Sequence, residues 1–313
     1  MDKVMLAGIE VSKLCFGTLT LGPLQKNMTV EEGAELLAHA YSKGVNFFDT
    51  ADSYDTYPYL REAIKKTNGD FVISTKSYAF DKEGAEKTVE KARRELDVDV
   101  IDIFMLHEQE TRLTLEGHRE ALEFYLHEKA LGRIRAVGVS THAVEVVKSC
   151  AEMPEIDVIH PIVNISGLGL IDGNASQMLE AVSLAKHAGK GIFAMKPLGG
   201  GNLGKKYSEC MEYVLNNENL DAIAVGMQTM EEIDMNVAVF EGEPVSQELR
   251  TACSKKDKVL NIADWCQACG LCLKSCQQRA IRISNGKLQV DRRKCITCGY
   301  CSRKCPLFAL KIY

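Results

Sequence analysis

The chain has 313 residues, 46% apolar and 26% charged, a composition that excludes a disordered segment and suits one large domain plus a small appendage. It contains no run of about 18 apolar residues, and its N-terminus lacks the basic, apolar and small-residue regions of a secretory signal, so a cytoplasmic protein with no membrane contact is expected. Charge is uneven: Val259 to Tyr313 holds ten Lys/Arg against two Asp/Glu, a balance of +8, so the rest carries −13 to reach the net −5.

Taken in order, Val4-Met-Leu-Ala-Gly-Ile-Glu-Val-Ser puts a glycine between two short apolar runs, a hairpin suited to closing one end of a barrel. Short β-branched runs then alternate with longer amphipathic segments. Strands are expected at Lys13–Gly17, Val45–Thr50, Phe71–Lys76, Ile101–His107, Ile134–Ser140, Val158–Ile165, Gly191–Lys196 and Ala222–Gly226. The clearest helix start is Thr29-Val-Glu-Glu, where Thr29 caps and Glu32 closes a capping box. Leu36, Leu37, Ala40 and Tyr41 then form an inward stripe, and Gly44 ends the helix. Further helices are expected near Glu83–Leu96, Leu115–Leu131, Ala143–Ala151, Ser176–Ala188, Tyr207–Asn216 and Met230–Phe240. Eight strands alternating with helices fit an α/β TIM (β/α)8 barrel over residues 1–245 better than an open doubly wound sheet. Residues 246–260, with their Lys-Lys-Asp-Lys run, read as a linker or polar helix with a solvated face. Residues 261–313 form a separate small α+β module.

Chemistry in such a barrel gathers at the C-terminal ends of strands, where Asp49, Tyr54, Lys76 and His107 fall. Singly, each has a structural explanation. Together, Gly44-Val-Asn-Phe-Phe-Asp-Thr-Ala-Asp-Ser-Tyr54, Ser74-Thr-Lys76, Phe104-Met-Leu-His107 and Arg135-Ala-Val-Gly-Val-Ser140 resemble the aldo-keto reductase family, in the same order and over most of residues 1–240. The resemblance implies hydride transfer between NADP or NAD and a small carbonyl or alcohol substrate. Tyr54 would donate the proton to the carbonyl oxygen. Lys76 would lower the Tyr54 pKa, Asp49 would hold Lys76 charged and in place, and His107 would orient the oxygen.

For the nucleotide, Lys196-Pro197-Leu198-Gly199 and the two glycines after them offer amides for close approach to a pyrophosphate. Gly226-Met227-Gln228 opens a helix whose N-terminus attracts phosphate. The resemblance places Ser140 and Asn164 near the nicotinamide carboxamide and Asn236 near the adenine. The family often has a basic residue four before that last Asn to clamp the NADP 2′-phosphate. Here Glu232 stands instead, and a carboxylate repels phosphate, leaving NAD or an altered nucleotide site as alternatives. Thr141-His142 departs from the family's usual Asn and aromatic, and His142 reads either as a helix-start residue or as a group reaching substrate.

Eight of the twelve cysteines repeat one spacing, Cys266-x2-Cys269-x2-Cys272-x3-Cys276 and Cys295-x2-Cys298-x2-Cys301-x3-Cys305-Pro306, which reads as two [4Fe-4S] clusters rather than structural zinc. The other four, Cys15, Cys150, Cys210 and Cys253, are expected to be structural. This segment resembles two-cluster ferredoxins. That resemblance implies one cluster on Cys266, Cys269, Cys272 and Cys305 and another on Cys295, Cys298, Cys301 and Cys276, with the fourth cysteine of each run crossing over. Asn285-Gly286 marks a hairpin between the runs. The basic balance here is explained by cluster charge, about −2 for each oxidised cluster with its four thiolates, and not by nucleic acid, since no exposed aromatic row is interleaved with it.

Three functions follow. One is a nicotinamide-dependent carbonyl reductase or alcohol dehydrogenase whose clusters are structural, sensory or a docking point. Another passes electrons from a donor protein through the clusters to a substrate or cofactor at the barrel mouth. The third is a non-catalytic electron-transfer subunit, against which the four strand-end residues argue.

Overall fold

The eight expected strands form and close. In the computed structural model, which describes residues 1–254, 259–295 and 297–312, parallel strands Leu14–Gly17, Phe47–Asp49, Val72–Ser77, Ile101–Gln109, Ile134–Thr141, Val158–Pro161, Gly191–Met195 and Ala222–Val225 pair in chain order, and the last pairs with the first. The strand expected to reach Ile165 ends at Pro161, where a loop begins whose shape Asn164 fixes.

Alternation along each strand sends one set of side chains into the barrel and the other toward the helices. Cys15, Phe47, Val72, Ile103, Met105, Ala136, Val158 and Phe193 fill the interior. The opening hairpin, Lys3–Leu6 with Ile9–Ser12, plugs its N-terminal end with Leu6, Ile9 and Val11. Its turn residues Ala7 and Gly8 have φ of 48° and 80°, the left-handed pair that a tight hairpin turn requires.

The capping box at Thr29 is present, and Val30–Ser42 buries Leu36, Leu37 and Ala40. A helix absent from the sequence reading, Tyr57–Thr67, lies between the second and third strands. It begins on Tyr57-Pro58-Tyr59, and Thr56 before it makes no side-chain cap. The single helix expected over Leu115–Leu131 is two, Arg112–Gly117 and Arg119–Ala130, with Gly117 ending the first.

Gln247–Ser254 is a helix, and the Lys-Lys-Asp-Lys run expected to be solvated, residues 255–258, lies outside the described residues. In the module, Ile281–Ser284 and Lys287–Val290 form the hairpin about Asn285-Gly286, whose φ values are 51° and 70°. Leu260–Ile262 pairs with Leu310–Ile312, joining the module's two ends.

Candidate active site and cluster pockets

Because side chains alternate, Asp49 sits two residues above Phe47, His107 two above Met105, His160 two above Val158 and Lys76 four above Val72, all on the inward face at the strands' C-terminal ends. The barrel thereby gathers polar groups from successive strands at one mouth. Lys76, 1% exposed, donates to Asp49 Oδ1 at 2.8 Å, to Asp49 Oδ2 at 2.7 Å and to the Thr50 carbonyl at 2.7 Å. Those three bonds use all three N–H groups of the ammonium.

Tyr54 ends a short turn, Asp52–Tyr54, with its ring 5.1 Å from Lys76 Nζ and edge-on to His107 at 5.7 Å. The expected lowering of its pKa by Lys76 does not occur. Burial first, then the Asp49 and Glu108 carboxylates, push the phenol well above its ordinary value. The phenol therefore holds its proton at neutral pH. His107 is 2% exposed, burial holds its imidazole neutral, and its Nδ1 has no partner among the described residues.

A further group of residues surrounds this core. Tyr78 stacks on His107 at 4.3 Å and donates to Glu108 Oε2 at 2.5 Å. Lys196 Nζ lies 2.7 Å from His142 Nε2 and 3.9 Å from Glu108 Oε1. Burial raises the Glu108 carboxyl, but the Lys196 ammonium and the Tyr78 hydroxyl outweigh it and hold the group well below the usual carboxylate range. Burial and then Lys196 push His142 down to about 3, so its ring is neutral and accepts from Lys196. Glu108 and Lys196 are both left-handed, φ 47° and 58°, a strain for non-glycine residues that concentrates at functional sites. His142 thus faces the mouth and precedes the helix Val144–Glu152. Sequence reasoning missed Tyr78, Glu108 and His160. Their available signal was position, at the ends of strands already assigned.

The C-terminal module docks on this mouth. Phe308 is 5% exposed yet lies outside the module's own apolar core. Its ring is 5.1 Å from Lys196 Nζ and 6.4 Å from the His142 ring. A Cβ on Gly200 would stand 2.6 Å from that ring, and one on Gly201 would strike the Ile312 carbonyl. Asn261 donates to the Leu24 carbonyl at 3.2 Å and Arg303 to that of Asn202 at 3.4 Å.

This docking changes the reading of Lys196, Pro197, Leu198 and Gly199. The loop expected to approach a pyrophosphate is approached by Phe308 and Ile312, and its glycines make room for them. The other nucleotide contacts are also engaged by the protein. Ser140 Oγ accepts from the Glu108 amide at 2.8 Å. Asn164 bonds the Leu168 carbonyl at 2.9 Å and the Leu168 amide at 2.9 Å. Asn236 donates to the Glu232 carbonyl at 2.7 Å and accepts from the Tyr207 hydroxyl at 2.9 Å. Gly226 packs on Thr20, whose hydroxyl donates to the Met227 carbonyl at 3.0 Å. Gln228 donates its amide N–H to Glu232 Oε2 at 2.7 Å, so the chain's own carboxylate stands where a phosphate would meet the start of helix Met230–Phe240. With the module docked, Phe308 and Ile312 fill the space beside Gly200 and Gly201, and Glu232 occupies the helix start expected to meet a phosphate.

The cysteines fit their group well. Cys266, Cys269, Cys272 and Cys305 line one cavity, and Cys276, Cys295, Cys298 and Cys301 another, so the fourth cysteine of each run reaches the other run's cavity. Among the described residues no carboxylate lines either cavity. The Ala280 amide donates to Cys276 Sγ at 3.2 Å and the Ala309 amide to Cys305 Sγ at 3.3 Å, the N–H···S bonds that stabilise thiolate ligands. Of the other cysteines, Cys15, Cys150 and Cys210 are buried and Cys253 is half-buried.

Residues 13–212 match the family described as Aldo/keto reductase family, and residues 258–306 match the 4Fe-4S dicluster domain. Among similar proteins is "Probable aldo-keto reductase 1" of Glycine max, 28% identical over 237 residues, covering 70% of this chain and 65% of that protein. The L-galactose dehydrogenase of Arabidopsis thaliana is 21% identical over 273 residues, 74% of this chain and 85% of the other. The holo form of an aldo-keto reductase from Bacillus halodurans shares the fold, with a TM-score of 0.64 at 20% identity over 82% of this chain and 96% of that one. Among the described residues no helix is long and apolar enough to cross a membrane.

Proposed function

Because the chain belongs to the aldo/keto reductase family and carries a 4Fe-4S dicluster domain, we propose that it is an oxidoreductase interconverting a small carbonyl compound and its alcohol, with redox equivalents entering through two [4Fe-4S] clusters and not from a nicotinamide. The observation that carries this reading is the docked module, which sets Phe308 and Ile312 against the Gly200–Gly201 loop. The two cysteine sets named above would hold the clusters, which supply electrons singly when bound.

The chain's own residues supply the proton chemistry. Reduction of the carbonyl takes two electrons, one from each cluster, and two protons: Tyr54, which holds its proton, would give one to the carbonyl oxygen, and water would give the other to the carbon. His107, neutral under Tyr78, orients that oxygen, and Asp49 holds the Lys76 ammonium 5.1 Å from the phenol ring. Interconversion of carbonyl and alcohol suits the relative named as an L-galactose dehydrogenase.

The test is anaerobic, on cluster-loaded protein. NADH and NADPH up to millimolar concentration are expected neither to bind in equilibrium dialysis nor to bleach the clusters. Chemically reduced protein is expected to be reoxidised by its carbonyl substrate, and Tyr54→Phe to lose that reoxidation. Micromolar nucleotide binding with the module docked would overturn the reading. It would favour instead hydride transfer from the nucleotide, the reading that the complete set of Asp49, Tyr54, Lys76 and His107 supports.

A further inference from the structure

The two cysteine cavities differ in what surrounds them. Of the described residues lining the second, only Gln278 is exposed. Its Gly299 is buried against the barrel, where a Cβ would stand 3.1 Å from Asn202 Oδ1, and its Ile312 turns a carbonyl toward Gly201. The first cavity opens outward, with Cys269, Leu271, Lys304 and Leu307 exposed among its lining residues. Around it Trp265, Leu271, Ile283 and Leu307 are 43%, 59%, 39% and 38% exposed, and none belongs to the module's apolar core. Trp265 Nε1 donates to the Leu307 carbonyl at 3.1 Å, and a Cβ on Gly270 would stand 3.7 Å from Ile283, so these side chains form one apolar rim about Cys269. Contiguous exposed apolar side chains edged by charge mark an interaction site. Charge decides the kind of partner. Of the module's ten Lys/Arg only Lys311 is buried, and against the exposed cations stand two carboxylates, Asp264 beside Trp265 and Asp291, which pairs with Arg293 at 3.5 Å. Two oxidised clusters with their thiolates bring about −4, which leaves the module about +4. Lys304 lines the first cavity, and Lys274 follows Cys272 on the turn Leu273–Ser275.

We infer that the apolar rim about Cys269, with Lys274 and Lys304 upon it, is the docking surface for a small acidic one-electron carrier protein, and that the second cysteine set is the one turned to the barrel. The inference rests on redox equivalents entering through the module. Each encounter moves one electron, oxidising the carrier's iron–sulfur or flavin group by one and reducing the module by one. Two encounters therefore supply the two electrons that reduction of one carbonyl consumes, and the two protons come from Tyr54 and water. Electron-transfer encounters are weak and bury little area, so a rim of four apolar side chains with two cations suffices, and opposite charge steers the approach.

The test is calorimetric titration of cluster-loaded protein with a plant-type [2Fe-2S] ferredoxin, an acidic carrier, both proteins being oxidised. Micromolar binding is expected at about 0.01 M salt and at least tenfold weaker binding at about 0.1 M. Lys304→Glu and Leu271→Glu should each weaken it at least tenfold, and Lys87→Glu on the barrel helix Lys82–Leu96 should change nothing. Cluster absorbance reports whether each variant is loaded. Hydrogen exchange of the unmodified protein gives a second reading that needs no variant. The ferredoxin should slow exchange at residues 265–274 and 304–307 and not at 297–300, and parvalbumin, acidic but without a redox group, should protect neither. Absence of binding, binding indifferent to salt, protection at residues 297–300, or equal protection by parvalbumin would overturn the inference. If the ferredoxin binds as stated and its reduced form bleaches the clusters, but no carbonyl compound reoxidises them, the carbonyl reading falls and the docking surface stands.

Discussion

Phe308→Ala tests the docking on which the functional reading depends. The Phe308 ring is almost fully buried, but it lies against Gly169, Gly200 and Lys196 and contributes nothing to the module's core, which Leu260, Ala263, Ile281, Leu288, Ala309, Leu310 and Ile312 form. Removing a buried phenylalanine costs about 3–5 kcal/mol, and the contact with the Lys196 ammonium adds roughly 0.5–2 kcal/mol. Because the ring is an interface group, that loss should appear as easier undocking and not as unfolding of either unit. At about 1.4 kcal/mol per factor of ten, even the lower figure speeds opening roughly 100-fold. Hydrogen exchange read by mass spectrometry should show faster exchange confined to residues 198–204 and 308–312, with the barrel helices Val30–Ser42 and Lys82–Leu96 unchanged. Unchanged protection at residues 198–204, or loosening spread through the barrel, would refute the argument.

Other consequences can be checked separately. Lys76→Met leaves the buried Asp49 carboxylate unpaired and should destabilise the barrel by about 3–5 kcal/mol in denaturant titration, with Asp49→Leu in the same chain restoring much of it. Tyr54→Phe should lower turnover roughly 100- to 10,000-fold while leaving cluster absorbance intact. Cys305→Ser and Cys269→Ser should deplete the same cluster, and Cys276→Ser the other, as resolved by EPR of the singly depleted proteins. Lys311 is held near 7 when folded and returns to an ordinary lysine value when unfolded, so between these pH values the unfolded chain binds more protons. Stability should rise with pH across that window, and Lys311→Met should flatten the rise.

Much of the fold was legible because its signals are local. Alternation of β-branched runs and helix stripes marked all eight strands, the Thr29 capping box marked a helix start, and Asn285-Gly286 marked a hairpin. Helix Tyr57–Thr67 was missed although Pro58 in its first turn is a legible start signal. The residues at the barrel mouth were readable from strand ends, since a period of two fixes which side chain points inward once a strand is placed.

The sequence by itself determined the barrel, the Asp49, Tyr54, Lys76 and His107 set, and the cysteine spacing, because each is written within a strand or a short run. Only the tertiary structure decided what surrounds them. Whether a glycine-rich loop receives a pyrophosphate or a phenylalanine depends on a residue more than a hundred positions away, and no local pattern joins Gly200 to Phe308. Whether Glu232 repels a ligand or caps its own helix is a matter of a 2.7 Å contact. Lys311 reads in sequence as one more basic residue of a basic module. It becomes a buried cation because folding takes it out of water and sets its ammonium 4.8 Å from the Trp265 ring.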